Sequence, residues 1–219
     1  MQIKHIEIPD KITPKDIPSL FDCNSIEWTA IDRVNWRADY PYKPDVAVRI
    51  AHAGDKILLH YSVRERDLRA VCDCDNGRSW EDSCVEFFLQ PDSDQSLYYN
   101  FEFTCAGFKL VGGGDYGTER GRAPMEIHSK VQTWSSLGHE AFGQQHGEAQ
   151  WQLAAIIPVE ALYLSAITHL DGLSMRANFY KCGDLQPTPH FLSWTEIRAP
   201  KPQFHLPQFF GNLEFEKQL

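Results

Sequence analysis

The chain has 219 residues, a formal net charge of −9, 42% hydrophobic residues and 23% charged residues. This size and composition fit one globular domain with an apolar core. The acidic charge and the lack of a lysine or arginine cluster argue against a nucleic-acid partner. No apolar run approaches the roughly 20 residues of a membrane-spanning helix, so no membrane partner is expected.

The amino-terminal residues and the cysteines suggest a compartment. Met1 to Ile8 contains no apolar stretch typical of a secretion signal. We therefore expect a cytoplasmic protein, or a secreted or periplasmic one if a leader peptide has been removed. Six scattered cysteines are too few for a disulfide scaffold, so free thiols are expected. Cys72, Cys74 and Cys84 lack the paired Cys-x-x-Cys spacing typical of zinc sites.

Alternation of apolar and polar residues predicts strands along most of the chain. Residues 2–8 alternate, and Pro9, Pro14 and Pro18 then indicate a loop-rich lead-in. Residues 46–51 and 57–63 flank Ala53-Gly54-Asp55, which is a strong hairpin pattern. Further alternating segments predict strands at residues 98–104, 108–111, 127–134, 151–157, 175–181, 191–194 and 213–215.

Two segments depart from this strand pattern. Residues 135–150 are polar and rich in glycine, glutamine and histidine, which predicts an exposed loop. Residues 158–164 form the best helix candidate, because Pro158 suits a first helical turn. Short strands with frequent turns predict an all-β protein, an antiparallel β-sandwich with one short helix and long loops. No linker or repeat divides the chain, so we expect a single domain over residues 1–219.

The segment from Asn76 to Pro91 is the most informative. Its Asn-Gly pair indicates a turn, and the alternating residues that follow predict a strand. Trp80 then lies where a loop meets a sheet, beside Glu81, Asp82 and Glu86. A flat apolar ring beside acceptor oxygens suits a sugar, whose C–H groups stack on the ring while its hydroxyls donate to carboxylates. The alternative is a core tryptophan surrounded by solvated acids.

Three motifs together resemble a known family. They are Trp80-Glu-Asp-Ser-Cys-Val-Glu-Phe-Phe-Leu-Gln-Pro91, residues 175–181 (Met-Arg-Ala-Asn-Phe-Tyr-Lys), and residues 190–194 with the closing segment 204–215. Over residues 28–215 the chain resembles the carbohydrate-binding module family 9-like group, in its stand-alone bacterial subgroup, which is related to xylanase sugar-binding modules. The resemblance implies a non-catalytic β-sandwich that binds a mono- or oligosaccharide in support of carbohydrate catabolism, with xylan among the candidate polysaccharides.

The resemblance also implies a site in which two aromatic residues sandwich a sugar ring and polar groups hold its hydroxyls. Trp80 matches the first aromatic residue, and Glu86 matches the carboxylate on the strand that follows. Asn100 and Asn178 fall at polar contact positions on later strands. We expect Trp194 to be the second aromatic residue, with Tyr180 in reserve.

A cofactor is not required by this interpretation, but a structural calcium ion is compatible with it. Asp73 and Asp75 supply alternating oxygen donors before Gly77, like part of an EF-hand loop. Modules of the resembled family often carry structural calcium, which makes the two aspartates the expected ligands.

Two other functions remain open. Glu81, Asp82, Glu86 and Glu102 could supply the paired carboxylates of a glycoside hydrolase. Residues four apart on a strand, such as Asp82 and Glu86, are about 13 Å apart at the backbone, which exceeds what either glycosidase mechanism needs. The last alternative is an interaction domain that has kept the fold and lost sugar binding.

Overall fold

The computed structural model describes residues 1–218, and strands account for 42% of it and helices for 11%. The strands form two packed sheets. The first sheet contains, in spatial order, β1 (Gln2–Ile3), β14 (Gly211–Phe215), β12 (Ser174–Cys182), β6 (Cys84–Gln90), β7 (Leu97–Thr104), β8 (Lys109–Asp115) and β9 (Gly121–Arg122). In addition, β13 (Phe191–Ser193) pairs with β12, and β3 (Arg33–Val34) pairs with β13. The second sheet contains β10 (Gln132–Ser135), β11 (Phe142–Pro158), β5 (Lys56–Ala70), β4 (Asp45–His52) and β2 (Thr29–Ala30).

Most neighbouring strands run antiparallel, while β1 and β14 pair in parallel. The predicted class, an antiparallel β-sandwich, is therefore confirmed. The hairpin predicted around Gly54 is also present, since β4 and β5 pair along their lengths on either side of it.

The helix prediction placed the helix in the wrong segment. Residues 158–164 contain only a 3₁₀ turn at Val159–Ala161, whereas α1 forms at Ile17–Cys23 in the expected loop region. Pro18 lies in the first turn of α1, where its missing N–H has no intrahelical partner to lose. A single further turn, α2, spans Met125–His128. Within residues 1–218, no helix is long and apolar enough to cross a membrane.

Two other predictions differ from the structure around β10 and β11. The prediction of a loop at residues 135–150 is wrong, because β11 begins at Phe142 and pairs with the far end of β5. This part of β11 is largely exposed and its register shifts twice, which explains its polar composition. The strand expected at residues 127–134 begins only at Gln132, because α2 occupies the start of that range.

The first sheet is buried on both faces. Its inner face packs on the second sheet through a large apolar core that includes Phe87, Phe101 and Phe179. Its outer face carries a second apolar cluster, which includes Phe88 and Tyr180. Residues 195–210, which we call the cover segment, contribute side chains to that outer cluster. The outer face is therefore covered by a loop rather than by a sheet.

Candidate functional site

Polar side chains meet on the outer face of the first sheet. Glu86 of β6 lies directly opposite Glu102 of β7 on one side and Tyr180 of β12 on the other. Directly opposed residues of an antiparallel pair point to the same face, so strand register places these groups in one row. Asn100 lies two residues before Glu102 on β7, opposite Phe88, and therefore points to the same face.

A cavity of about 270 Å³ lies above this row. Its floor includes the Glu86 and Glu102 carboxyl groups. Its walls include Trp80, Asp184, Phe191, Phe204 and His205. A second hollow of about 340 Å³ shares Trp80, Glu102 and His205 with the first and extends to Asn100 and Arg120. Together they form one groove with aromatic rings on its sides and carboxyl groups at its base.

The loop that carries Trp80 is fixed by contacts to the loop after β12. Trp80 lies in a 3₁₀ turn at Ser79–Glu81, immediately before β6, as the Asn-Gly turn signal predicts. Its carbonyl oxygen accepts a hydrogen bond from the Asp184 backbone N–H at 3.1 Å and from the Cys182 thiol at 3.6 Å. The indole is partly exposed and packs against the outer cluster. Trp80 is therefore held at the rim of the cavity.

A second part of the cavity wall belongs to the cover segment. The Phe204 ring stacks on Tyr180, with ring centroids 4.2 Å apart and planes inclined by 10°. The Tyr180 hydroxyl donates to the Phe204 carbonyl oxygen at 3.1 Å. The next residue, His205, lies with its Nδ1 2.9 Å from the Tyr98 hydroxyl. Tyr180 is fully buried, so it supports the aromatic wall from beneath and does not face the cavity.

The carboxyl groups of the floor hold protons more tightly than usual. Glu86 is 2% exposed and Glu102 is 4% exposed. Burial, followed by the neighbouring Glu102 carboxyl, raises the pKa of Glu86 well above its ordinary value. Burial raises the pKa of Glu102 to about 7 and that of Asp184 to about 6. A protonated carboxyl donates a hydrogen bond as well as accepting one, so the raised pKa values of Glu86 and Glu102 widen the range of contacts that the floor can make.

Asn100 connects this floor to a cation. Its Nδ2 donates to Glu102 Oε1 at 3.1 Å, and its Oδ1 accepts from Arg120 Nη2 at 2.7 Å. The Arg120 guanidinium lies 3.5 Å from the centroid of the Tyr98 ring. Gly112 faces Asn100 across β7 and β8, and a Cβ there would lie 2.6 Å from Asn100 Oδ1. The glycine therefore leaves room for the Asn100 side chain.

The predicted aromatic clamp of Trp80 and Trp194 is not formed. Trp194 packs on the inner side of the first sheet, with its ring centroid 5.6 Å from that of Phe179. Trp80 packs on the outer side, so the two indoles lie on opposite faces. The reason is parity, because Ser193 points outward opposite Tyr180 and the next residue turns inward.

Asn178, predicted to hold a sugar hydroxyl, lies on the outer face but is fully buried and does not line the cavity. Its Oδ1 accepts hydrogen bonds from the backbone N–H groups of Phe179 and Thr195, both at 3.0 Å. Asn178 therefore fixes the start of the cover segment. Of the six predicted ligand residues, the structure places Trp80, Glu86 and Asn100 along the groove.

The sequence interpretation missed the residues that complete the groove. Phe204 and His205 lie in a proline-rich stretch, where closely spaced aromatic residues were the available signal. Phe191 lies in the predicted short strand at residues 191–194, and Asp184 lies in the loop after β12. The sequence pattern of these segments does not show which way their side chains point.

The other candidate carboxylates have local partners. Asp82 is 1% exposed, lies 3.1 Å from Arg69 Nε, and accepts a hydrogen bond from the Cys72 backbone N–H. Glu81 lies 3.0 Å from Arg78. These two acids stabilise the loop before β6, which leaves Glu86 and Glu102 as the opposed pair in the cavity.

Asp75, one of the two residues predicted to bind calcium, is held by the neighbouring Lys109. Asp75 accepts hydrogen bonds from Lys109 through both carboxylate oxygens, each at 3.0 Å. Among residues 1–218, neither Asp73 nor Asp75 belongs to a cluster of three His, Cys, Asp or Glu ligand atoms. The Lys109 ammonium supplies a positive charge beside the Asp75 carboxylate. Structural calcium stays an untested prediction.

The fold and the groove define a β-sandwich protein with a concave, partly aromatic groove on the covered face of one sheet, the shape that small-molecule sites usually take. The profile described as Carbohydrate-binding family 9 matches residues 15–215. The chain therefore belongs to carbohydrate-binding family 9, and the predicted family is confirmed. No curated protein matches the chain.

Solved structures agree with this assignment. A candidate carbohydrate-binding protein from Bacteroides uniformis ATCC 8492 is 49% identical, with 99% of this chain and 98% of that chain covered and a TM-score of 0.96. A family 9 module from Caldicellulosiruptor kristjanssonii, in complex with glucose, is 12% identical, with 100% of this chain and 96% of that chain covered and a TM-score of 0.62. Its complex with cellotriose gives 12% identity, coverage of 100% and 95%, and a TM-score of 0.60. At this identity the last two show the fold alone.

Proposed function

We propose that the groove binds a mono- or oligosaccharide without cleaving it, in support of carbohydrate catabolism. The observation that carries the proposal is the cavity itself, in which Trp80 and Phe204 form walls above the Glu86 and Glu102 carboxyl groups. A pyranose has apolar faces and a polar edge, so this arrangement matches both parts of the ring. Asn100 and Asp184 add further polar groups along the groove.

The two kinds of contact contribute differently to binding. Aromatic walls remove apolar sugar surface from water, at roughly 25 cal/mol per Å². Buried polar groups fix the orientation of the ring, because a sugar that leaves Glu102 unpaired forfeits a hydrogen bond in a water-poor site. Sugar hydroxyls must also lose water, so we expect weak to moderate affinity.

Glucose and short gluco-oligosaccharides are the first ligands to test. Support comes from the family 9 module of Caldicellulosiruptor kristjanssonii, whose structures are complexes with glucose and cellotriose. Xylose and xylo-oligosaccharides form the second set, because the motif resemblance includes xylanase modules.

Isothermal titration calorimetry with this panel tests the proposal. We expect Trp80→Ala to weaken binding at least about tenfold, which corresponds to about 1.4 kcal/mol. Trp28→Ala is the matched control, because Trp28 is another exposed indole, 44% accessible, that contacts Arg49 and His60 of the second sheet. Sugar binding that persists unchanged in Trp80→Ala contradicts the proposed site. Absence of binding to the whole panel at millimolar concentration favours the interaction-domain alternative.

A measurement of reducing-sugar release separates binding from hydrolysis. The opposed Glu86 and Glu102 are the pair that a glycosidase would use here. We expect no release from oligosaccharides that bind. Release that Glu86→Gln or Glu102→Gln abolishes would assign catalysis to the groove instead.

A further inference from the structure

Two cysteines face each other at the floor of the cavity. Cys84 of β6 lies directly opposite Cys182 of β12, and both are at most 1% exposed. Glu86 lies two residues further along β6 and therefore points to the same face. The Cys182 thiol donates a hydrogen bond to Glu86 Oε1 at 3.1 Å. Strand register thus brings two sulfur atoms and one carboxylate oxygen together.

The spacing of these three atoms suits a metal ion. Each lies within 4.8 Å of the other two, and this is the one such His, Cys, Asp and Glu cluster within residues 1–218. Zinc binds cysteine sulfur at about 2.3 Å and carboxylate oxygen at about 2.0–2.2 Å, so tetrahedral ligands lie about 3.3–3.8 Å apart. Thiolate sulfur favours zinc and related soft ions over calcium or magnesium.

The surroundings of the cluster also favour a cation. Glu86, Glu102 and Asp184 all line the cavity, and no lysine or arginine is among its lining residues. Glu102 Oε2 is buried without a hydrogen-bond partner. A divalent ion in the cavity would place a positive charge beside the carboxyl groups and beside the unpartnered Glu102 oxygen.

We propose that Cys84, Cys182 and Glu86 form a binding site for zinc or a similarly thiophilic divalent ion. The ion enters from the cavity, because Cys182 and Glu86 line it. Three protein ligands leave one tetrahedral position, which opens to the cavity and is filled by water or by a ligand oxygen. Binding releases the protons of the two thiols. The site shares Glu86 with the proposed sugar groove, but binding of the ion does not require a sugar.

Titration with Co²⁺ or Cd²⁺ tests the site, because thiolate coordination gives a charge-transfer absorption. The exposed or partly exposed Cys23, Cys72 and Cys74 are first replaced by alanine, so that only buried thiols remain. In this triple-alanine variant, under reducing conditions, we expect one ion to bind per chain and to give the thiolate charge-transfer absorption. Adding Cys182→Ala or Cys84→Ala should abolish the signal.

Cys105→Ala is the matched control, because Cys105 is equally buried but belongs to the inner core. It should leave both signal and stoichiometry unchanged. Glu86→Gln preserves side-chain volume, so it tests the carboxylate even if a cysteine variant fails to fold, and we expect at least tenfold weaker ion binding.

Three results would overturn the proposal. They are no charge transfer in the reduced background variant, a signal that survives Cys182→Ala in a folded protein, or affinity unaffected by Glu86→Gln. A disulfide between Cys84 and Cys182 that persists under reductant, seen as a mass lower by two hydrogens, would also overturn it. Calorimetry with sugars is a separate measurement, so either proposal can fail alone.

Discussion

The two faces of the first sheet are equally buried but differ in what covers them. On the inner face, Phe87 and Phe179 pack against a second sheet within one large apolar core. On the outer face, Phe88 and Tyr180 pack under the cover segment, and a cavity remains beside them. The cover segment thus leaves part of the outer face accessible from the cavity. One set of strands therefore supplies stability on one face and a binding groove on the other.

The same contrast holds for the charged groups. On the inner face, Lys181 Nζ lies 2.9 Å from Glu65 Oε2 and 2.8 Å from His190 Nε2. Trp151 Nε1 donates to the other Glu65 oxygen at 2.7 Å. The buried inner charge is therefore matched by partners within the protein. The outer carboxyls, Glu86 and Glu102, face a cavity instead, which leaves capacity for a ligand.

Removal of the inner partner should have the largest effect on stability. We expect Glu65→Ala to lower the free energy of unfolding by about 3–5 kcal/mol, because it leaves the Lys181 ammonium buried without a counter-charge. Urea denaturation measures this. Glu148→Ala is the control, since Glu148 and Arg64 are 3.9 Å apart and both mostly exposed. Equal effects of the two substitutions would contradict the contrast between buried and exposed pairs.

The outer carboxyls should give stability a pH dependence. The pKa of Glu102 is about 7 in the folded protein, above its ordinary value of 4.5. The folded state therefore binds the proton more tightly, and this stabilisation is present below pH 4.5 and lost as pH rises through 7. Between these limits we expect the wild type to lose on the order of 2 kcal/mol relative to Glu102→Gln. A difference in unfolding free energy between wild type and Glu102→Gln that stays the same at all pH values would refute the prediction.

The smallest expected effect comes from loosening the cavity wall. Tyr180→Phe removes the hydroxyl that donates to Phe204, which should cost about 1 kcal/mol of unfolding free energy. It should also weaken sugar binding several-fold, because Phe204 loses its anchor. The control is Tyr99→Phe, which removes a hydroxyl bonded to Leu164 N away from the cavity. We expect a similar loss of stability there, with sugar affinity unchanged in calorimetry.

The sequence predicts those parts of the molecule that local pattern determines. Alternation identifies β6, and the Asn-Gly turn places Trp80 at its start. The side of the sheet on which Trp194 lies depends on the register of β13 against β12, which no local pattern encodes. The positions of Asp184 and Phe204 depend on contacts between distant loops, such as that between the Trp80 carbonyl and Asp184. Local periodicity therefore yields the floor of the groove but not its second wall.

The contact between Cys182 and Trp80 joins residues separated by 102 positions in the chain. Closure of so long a segment is slow, because its chain entropy must be lost before the contact forms. The hairpin of β6 and β7 can form early, whereas the groove is complete only after the loop that follows β12 and the cover segment have packed against it. A folding intermediate in which β6 and β7 are paired but β12 has not yet joined them would therefore lack the second wall of the groove, and ligand binding would appear only after these long-range contacts form.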